Sequence, residues 1–168
     1  MTTPTWREEI VAMLDTGHAF EAWRDIVRDF PDDRVNERPP NVPYTFWQLL
    51  EHIRICQWEV LDKITNPEHG RIEWPDDVWP SIDKEVNAAQ WRETIRQFAD
   101  DLDALKALVR DEQRDLLQPA LKGADYTALS SILSIAEHNA YHWGELAILR
   151  QVAGAWGPAH QEHDGNLD

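Results

Sequence analysis

The sequence predicts an all-α domain: a four-helix bundle with a long loop, containing Trp and Pro, between its second and third helices. Three observations predict it. The 168 residues fit one ordinary domain and are rich in the helix formers Ala, Leu, Glu, Arg and Gln, with only 7 Gly. Apolar residues recur at spacings of three and four in four separate segments. Helix start or stop signals bracket each segment. With 42% hydrophobic residues and 9 Trp, the chain also carries enough large apolar side chains to build a core.

The first helix is expected from about Pro4 to Phe30. Thr3 before Pro4 suits an N-cap with Pro at the first helical position, and Pro31 is the stop. Trp6, Ile10, Met13, Gly17, Phe20, Trp23 and Val27 form its apolar face, with Gly17 as a weak point or a place of close approach. A Pro-rich connector, Arg38-Pro39-Pro40-Asn41-Val42-Pro43, follows and excludes helix. The second helix starts at a capping box, Thr45 with Gln48, flanked by a Tyr44–Leu49 staple. It runs to about Ile64, where Asn66-Pro67 ends it. Residues 67–86 form the long loop, with Trp74-Pro75 and Trp79-Pro80 inside it. Such a loop can cover a site, but the balance favours both Trp rings packing on the flank of the bundle.

The third helix is expected to start near Asn87, with Gln90 three residues on, and to end before Pro119. Its stripe is Trp91, Ile95, Phe98, Leu102, Leu105 and Val109. The fourth runs from Thr127 to about Val152, with Gly154 as the stop. The bundle thus occupies residues 1–155, and residues 156–168 form a polar C-terminal tail.

The chain carries 31 acidic against 16 basic residues, a net charge of −15. Such a surface repels phosphate backbones and anionic lipid, so neither nucleic acid nor membrane is an expected partner; solubility accounts for the charge. The single cysteine, Cys56, permits no intrachain disulfide. The N-terminus lacks a basic-then-apolar leader pattern and no apolar run approaches membrane-spanning length, so the expected location is cytoplasmic.

The fourth helix carries the chemistry. His138 and His142 are four residues apart and so share a face, one turn apart, where two imidazoles can reach one metal ion. Ser131, Ile135, His138, His142, Glu145 and Leu149 lie in one narrow arc, so apolar residues bracket the pair along an inward seam. A third ligand is needed, and His52 is the best candidate, on a seam of Thr45, Gln48, Leu49, His52, Ile55, Cys56 and Glu59. Three neutral imidazoles with open positions suit Zn, Ni, Fe or Mn. Taken alone, His52 reads more readily as hydrogen-bonded core, and the pair alone leaves both readings open.

Other groups bear on the site. Glu145 could act as a general base, orient a water or serve as a fourth ligand; the alternative is pairing with an Arg or with solvent. Glu51 and Glu137 project elsewhere and suit surface pairing. Cys56 reads as a small buried hydrophobe before a ligand or a redox thiol. His18 lies near the first helix's stripe without an assigned role. His69, His160 and His163 are expected to be solvated, and Tyr141 either packs or hydrogen-bonds a ligand.

The segments Phe46-Trp47-Gln48-Leu49-Leu50-Glu51-His52-Ile53 and Glu137-His138-Asn139-Ala140-Tyr141-His142-Trp143-Gly144-Glu145-Leu146 closely resemble the DinB-like superfamily. The resemblance runs from the first helix through Arg150. It implies a four-helix bundle with a metal-binding His triad, one His from the second helix and two, at i and i+4, from the last. Here those positions hold His52, His138 and His142. The family name implies no DNA contact, which agrees with the charge.

The resemblance also implies a function. Relatives include transferases that use a low-molecular-weight thiol to conjugate or isomerise small electrophiles; the metal would lower the thiol's pKa, with Glu145 as a proton acceptor. A metal-dependent hydrolase is the variant reading. Some relatives carry an additional C-terminal domain, for which this chain is too short, and that argues against the isomerase chemistry. The alternatives are a non-catalytic, stress-related metal- or ligand-binding protein, or a bundle that keeps its histidines without metal. A homodimer is the oligomer that related bundles suggest.

Overall fold

The computed structural model describes residues 3–15 and 21–157. Among them are five α-helices and no strand: α1 Trp6–Asp15, α2 Trp23–Val27, α3 Phe46–Thr65, α4 Ala88–Arg110 and α5 Ala128–Val152. The three long helices follow the sequence closely because their caps and stripes agree. Thr45, Asn87 and Thr127 each accept from the backbone N–H three residues on, and Gln48, Gln90 and Ser130 reach back to complete capping boxes. Each such cap is worth about 1 kcal/mol. On α4, Trp91, Phe98, Leu102, Leu105 and Val109 are buried as the stripe requires. Gly154, at φ +63°, ends α5 in the left-handed conformation.

The helices close into a four-cornered bundle. α3 packs between α4 and α5, α1 lies against α4 and α5, and α2 against α5, so α1 and α2 together fill the first corner. Leu50, Ile53, Phe98, Leu102, Ile132 and Leu146 are fully buried at the centre. Trp23 stacks on Trp143 at 5.9 Å and meets Phe98 edge-on at 5.0 Å, which ties α2 to α4 and α5. Lys106 of α4 grips Asp15 at the end of α1 at 3.1 Å. No helix among the described residues is long and apolar enough to cross a membrane.

One helix departs from the expected bounds. The first is not continuous from Pro4 to Phe30. Ala22 has extended backbone (φ −61°, ψ 135°), α2 ends at Val27, and Asp29 takes φ +51°. With the helix broken, α1 and α2 need not share a face. On α1 the buried residues are Val11 and Leu14, whereas Trp6 and Met13 of the expected stripe are exposed; Trp23 and Val27 are buried as expected. Gly17, His18 and Phe20 lie outside the described residues.

α4 ends at Arg110, before Pro119 as expected. The next residues, Asp111 to Asp115, offer no apolar side chain to bury. Asp111 and Asp115 instead accept from the N–H groups of Gln113 and Leu117, both at 3.0 Å, turns that compete with helix.

The long loop does not merely lie on the flank. Val78 and Val86 are buried in the core, and the Asn36 side chain clamps Val86 through both its N–H and its C=O. Gln48, while capping α3, donates to Ser81 and Ile82 carbonyls, each at 3.0 Å. These bonds hold Val78 and Trp79 against the histidine face of α3.

Candidate metal centre

His52 of α3 and His138 and His142 of α5 converge in the structure. Each offers one ring nitrogen, and the three nitrogens lie within 4.8 Å of one another; this group could hold a metal ion. His52 is buried and the other two are half-buried. Nε2 of His52 and Nε2 of His138 are 3.1 Å apart. Two nitrogens bound to one first-row ion at bond lengths of about 2.0–2.1 Å sit about 3 Å apart, so the spacing fits.

The hydrogen bonds behind the rings decide which nitrogens are free. A carbonyl oxygen only accepts, so His52 Nδ1, 2.8 Å from the Val78 carbonyl, must carry the proton and donate. His142 Nδ1 donates to Glu145 Oε2 at 2.7 Å. His138 Nδ1 donates to Asn139 Oδ1 at 3.3 Å. Each proton thus sits on the outer nitrogen, and Nε2 of each ring keeps its lone pair. With the protons so placed, the two Nε2 atoms face each other at 3.1 Å, a spacing that a shared cation satisfies and that, without one, a proton moved to His138 Nε2 would satisfy. Burial, and then the nearby His142, push the His138 pKa down to about 4, and burial also lowers that of His52. Both rings are therefore neutral near pH 7, the form a metal requires.

The loop contributes more than a carbonyl. Trp79 lies flat on His52, centroids 3.9 Å apart and planes within 5°, and Tyr44 stacks on the other part of Trp79 at 4.9 Å. The expectation that both loop Trp rings pack on the flank thus fails for Trp79, because Val78 is anchored in the core beside His52 and carries its neighbour there. Trp74 is 62% exposed and lines a cavity of about 370 Å³ with Cys56, Val60, Tyr126, Ile135 and His138. This cavity is largely apolar, of small-molecule size, and reaches the triad through His138.

Glu145 stands behind His142. Its two oxygens accept from His142 Nδ1 and from the Tyr44 hydroxyl, whose pKa burial and the Glu145 bond push above its ordinary value. That arrangement makes it an orienting group for the His142 ring. Glu145→Gln is expected to leave the fold intact and loosen metal affinity by about tenfold. Chelator competition measures it, and unchanged affinity would show that the charge behind His142 does not matter.

Cys56 is buried, 3.6 Å from His52 Nδ1, and burial pushes its thiol up to about 12. It stays a neutral thiol. Glu51 pairs with Arg54 at 2.7 Å, and Glu137 is exposed. Tyr141 is 71% exposed and touches His142 only edge-on. His69 is not solvated as expected: its side chain is 5% exposed, held by Asp62 at 2.7 Å and Glu59 at 3.5 Å, because Asn66-Pro67 turns the chain back onto α3. His160 and His163 lie outside the described residues.

Four contributors have no role in the sequence analysis. The Val78 carbonyl and Trp79 come from a loop whose path the sequence does not encode locally. Asn139 and Gln57 were recoverable in part: Gln57 falls between Ile53 and Val60 on the buried side of α3, and an amide there needs a buried partner.

No curated protein and no solved structure matches the chain. The family model of the DinB superfamily matches residues 16–146. With its all-helical bundle and its triad drawn from α3 and α5, the chain belongs to the DinB superfamily.

Proposed function

We propose that the chain binds one divalent transition-metal ion through His52, His138 and His142 and acts on small molecules, as a transferase that uses a low-molecular-weight thiol. The observation that carries this reading is the convergence of three Nε2 lone pairs beside an apolar cavity. When bound, the ion supplies a Lewis acid that lowers the pKa of a thiol or water beside it. The chain's own residues hold the imidazoles neutral and oriented, and Val60, Ile135, Trp74 and Tyr126 wall the adjoining space with apolar surface. The chain's one thiol, Cys56, is kept protonated by burial, so the nucleophile must come from outside. The apolar walls favour a thiol with an apolar electrophile over hydrolysis.

The test has two stages. Metal content is measured on untagged wild type and on a His138→Ala/His142→Ala variant. Near-stoichiometric Zn, Ni, Fe or Mn in the wild type alone supports the site; equal traces in both remove it. Loaded protein is then assayed with small electrophiles, with and without low-molecular-weight thiols. Thiol-dependent turnover that His142→Ala abolishes, with the fold intact, supports the transferase. Turnover without thiol favours a hydrolase, and metal without turnover favours a binding protein. Tyr141, Ile148 and Val152, all exposed on one face of α5, would suit the homodimer, which sedimentation velocity tests.

A further inference from the structure

A chain of buried amides stands behind His138. On α4, the Phe98 backbone carbonyl accepts from Gln57 Nε2 of α3 at 2.8 Å. Gln57 Oε1 accepts from Asn139 Nδ2 of α5 at 2.9 Å. Asn139 Oδ1 accepts from His138 Nδ1 at 3.3 Å. Gln57 is fully buried and Asn139 is 5% exposed. Each link fixes the next. A carbonyl cannot donate, so Gln57 must present its NH₂ to Phe98 and its oxygen to α5. Asn139 must then present its NH₂ to Gln57 and its oxygen to His138. That oxygen favours the proton on His138 Nδ1 over Nε2, which faces His52 Nε2 at 3.1 Å, and so leaves Nε2 bare.

We infer that Gln57 and Asn139 form a positioning relay that sets the His138 tautomer, so that a backbone carbonyl on α4, a helix with no ligand, dictates which imidazole nitrogen faces the metal. The inference rests on the metal reading for its consequence, but the tautomer is a property of the metal-free chain. Mere satisfaction of buried amides would need no particular orientation at His138; the relay needs one, and it ends on a ligand.

A carboxylate separates the two. Both its oxygens accept, so an Asp at 139 needs no Gln57 to orient it. The probe is Co²⁺, titrated by visible absorption into the full chain, alongside long-range ¹H–¹⁵N spectra of the imidazoles in metal-free protein. Wild-type His138 is expected to carry its proton on Nδ1. Gln57→Leu is expected to mix the tautomers and weaken Co²⁺ binding by about tenfold to a hundredfold. Gln57→Leu/Asn139→Asp is expected to restore the tautomer and recover the affinity to within a few-fold. A wild-type proton on Nε2 overturns the relay whatever the variants do. So does a Gln57→Leu variant that keeps both tautomer and affinity, or a double variant that recovers neither. If wild type takes up no Co²⁺ while its tautomer responds to Gln57→Leu, the metal reading falls and the relay stands.

Discussion

Arg150→Ala is expected to destabilise the protein by about 2–4 kcal/mol, read by urea unfolding of the metal-free chain. Among the described residues Arg150 is the largest fully buried side chain, only 1% exposed. Its guanidinium donates to the Ile26 carbonyl of α2 at 2.7 Å and to the Ala155 carbonyl beyond α5 at 3.0 Å. It also lies over the Phe30 ring at 5.1 Å and the Trp156 ring at 4.1 Å. One side chain therefore ties α2, the 28–30 turn and the start of the tail to α5. Removing it leaves two carbonyls without that donor, at about 1–3 kcal/mol each, and a cavity of several methylenes. Something is returned: burial pulls the Arg150 pKa down to about 10 against the pull of Asp29 and Glu21, so the buried charge carries a desolvation cost that vanishes with it. The loss outweighs the return because volume and hydrogen bonds go together. Arg150→Met, which keeps most of the volume but neither hydrogen bond, should cost less than Arg150→Ala by the share of the cavity. A stability within 0.5 kcal/mol of wild type for Arg150→Ala would show that water replaces the guanidinium at no net cost, a threshold set by ordinary surface substitutions at about that size.

The clamp at Arg150 also explains where sequence reading stops. An arginine in the last turn of a helix reads as a solvated charge facing the macrodipole; its burial is set by the return of Ala155 and Trp156 onto the bundle. The long helices were legible because several local signals coincide in each. Thr45 and Gln48 cap α3, and Trp91 to Val109 keep one face of α4 at helical spacing. The first helix differs from expectation because its apolar spacing continues across a break in the backbone at Ala22. Trp23 and Val27 keep the spacing of the Trp6 stripe, yet α2 docks on α5 through its own contact with Trp143.

The site divides in the same way. His138 and His142 share a face by helix geometry alone. Pairing them with His52 needed the family resemblance, because which helices adjoin is a tertiary fact. The supporting groups stayed hidden for the reason that hides most second neighbours of a ligand. Val78 reaches His52 from 26 residues away through its carbonyl, which every residue has, and Gln57 reaches Asn139 across 82 residues.

Acidification tests the burial of the triad. His138 has a folded pKa of about 4 against the ordinary 6.5, and His52 is shifted the same way. Between those values the unfolded chain binds protons that the folded chain does not, so stability rises with pH. The contribution is therefore fully present above about pH 6.5 and is lost as the pH falls toward 4. For His138 it amounts to roughly 2–3 kcal/mol once its partial exposure is discounted. The carboxylates that the fold favours in charged form, Asp15 and Glu37 among them, act lower, below their ordinary values of 3.8 and 4.5. Between pH 6.5 and 5 the histidines thus dominate. Urea unfolding of metal-free protein across that range should show stability falling with pH in the wild type and a flatter profile in His138→Ala. A bound ion competes with the same protons, so metal-loaded wild type should hold its stability to lower pH than the metal-free chain, until protons displace the ion. Parallel profiles for wild type and His138→Ala would mean that His138 reaches water freely enough to titrate as it does unfolded, and the neutral, inward-facing Nε2 on which the site depends would be lost with it.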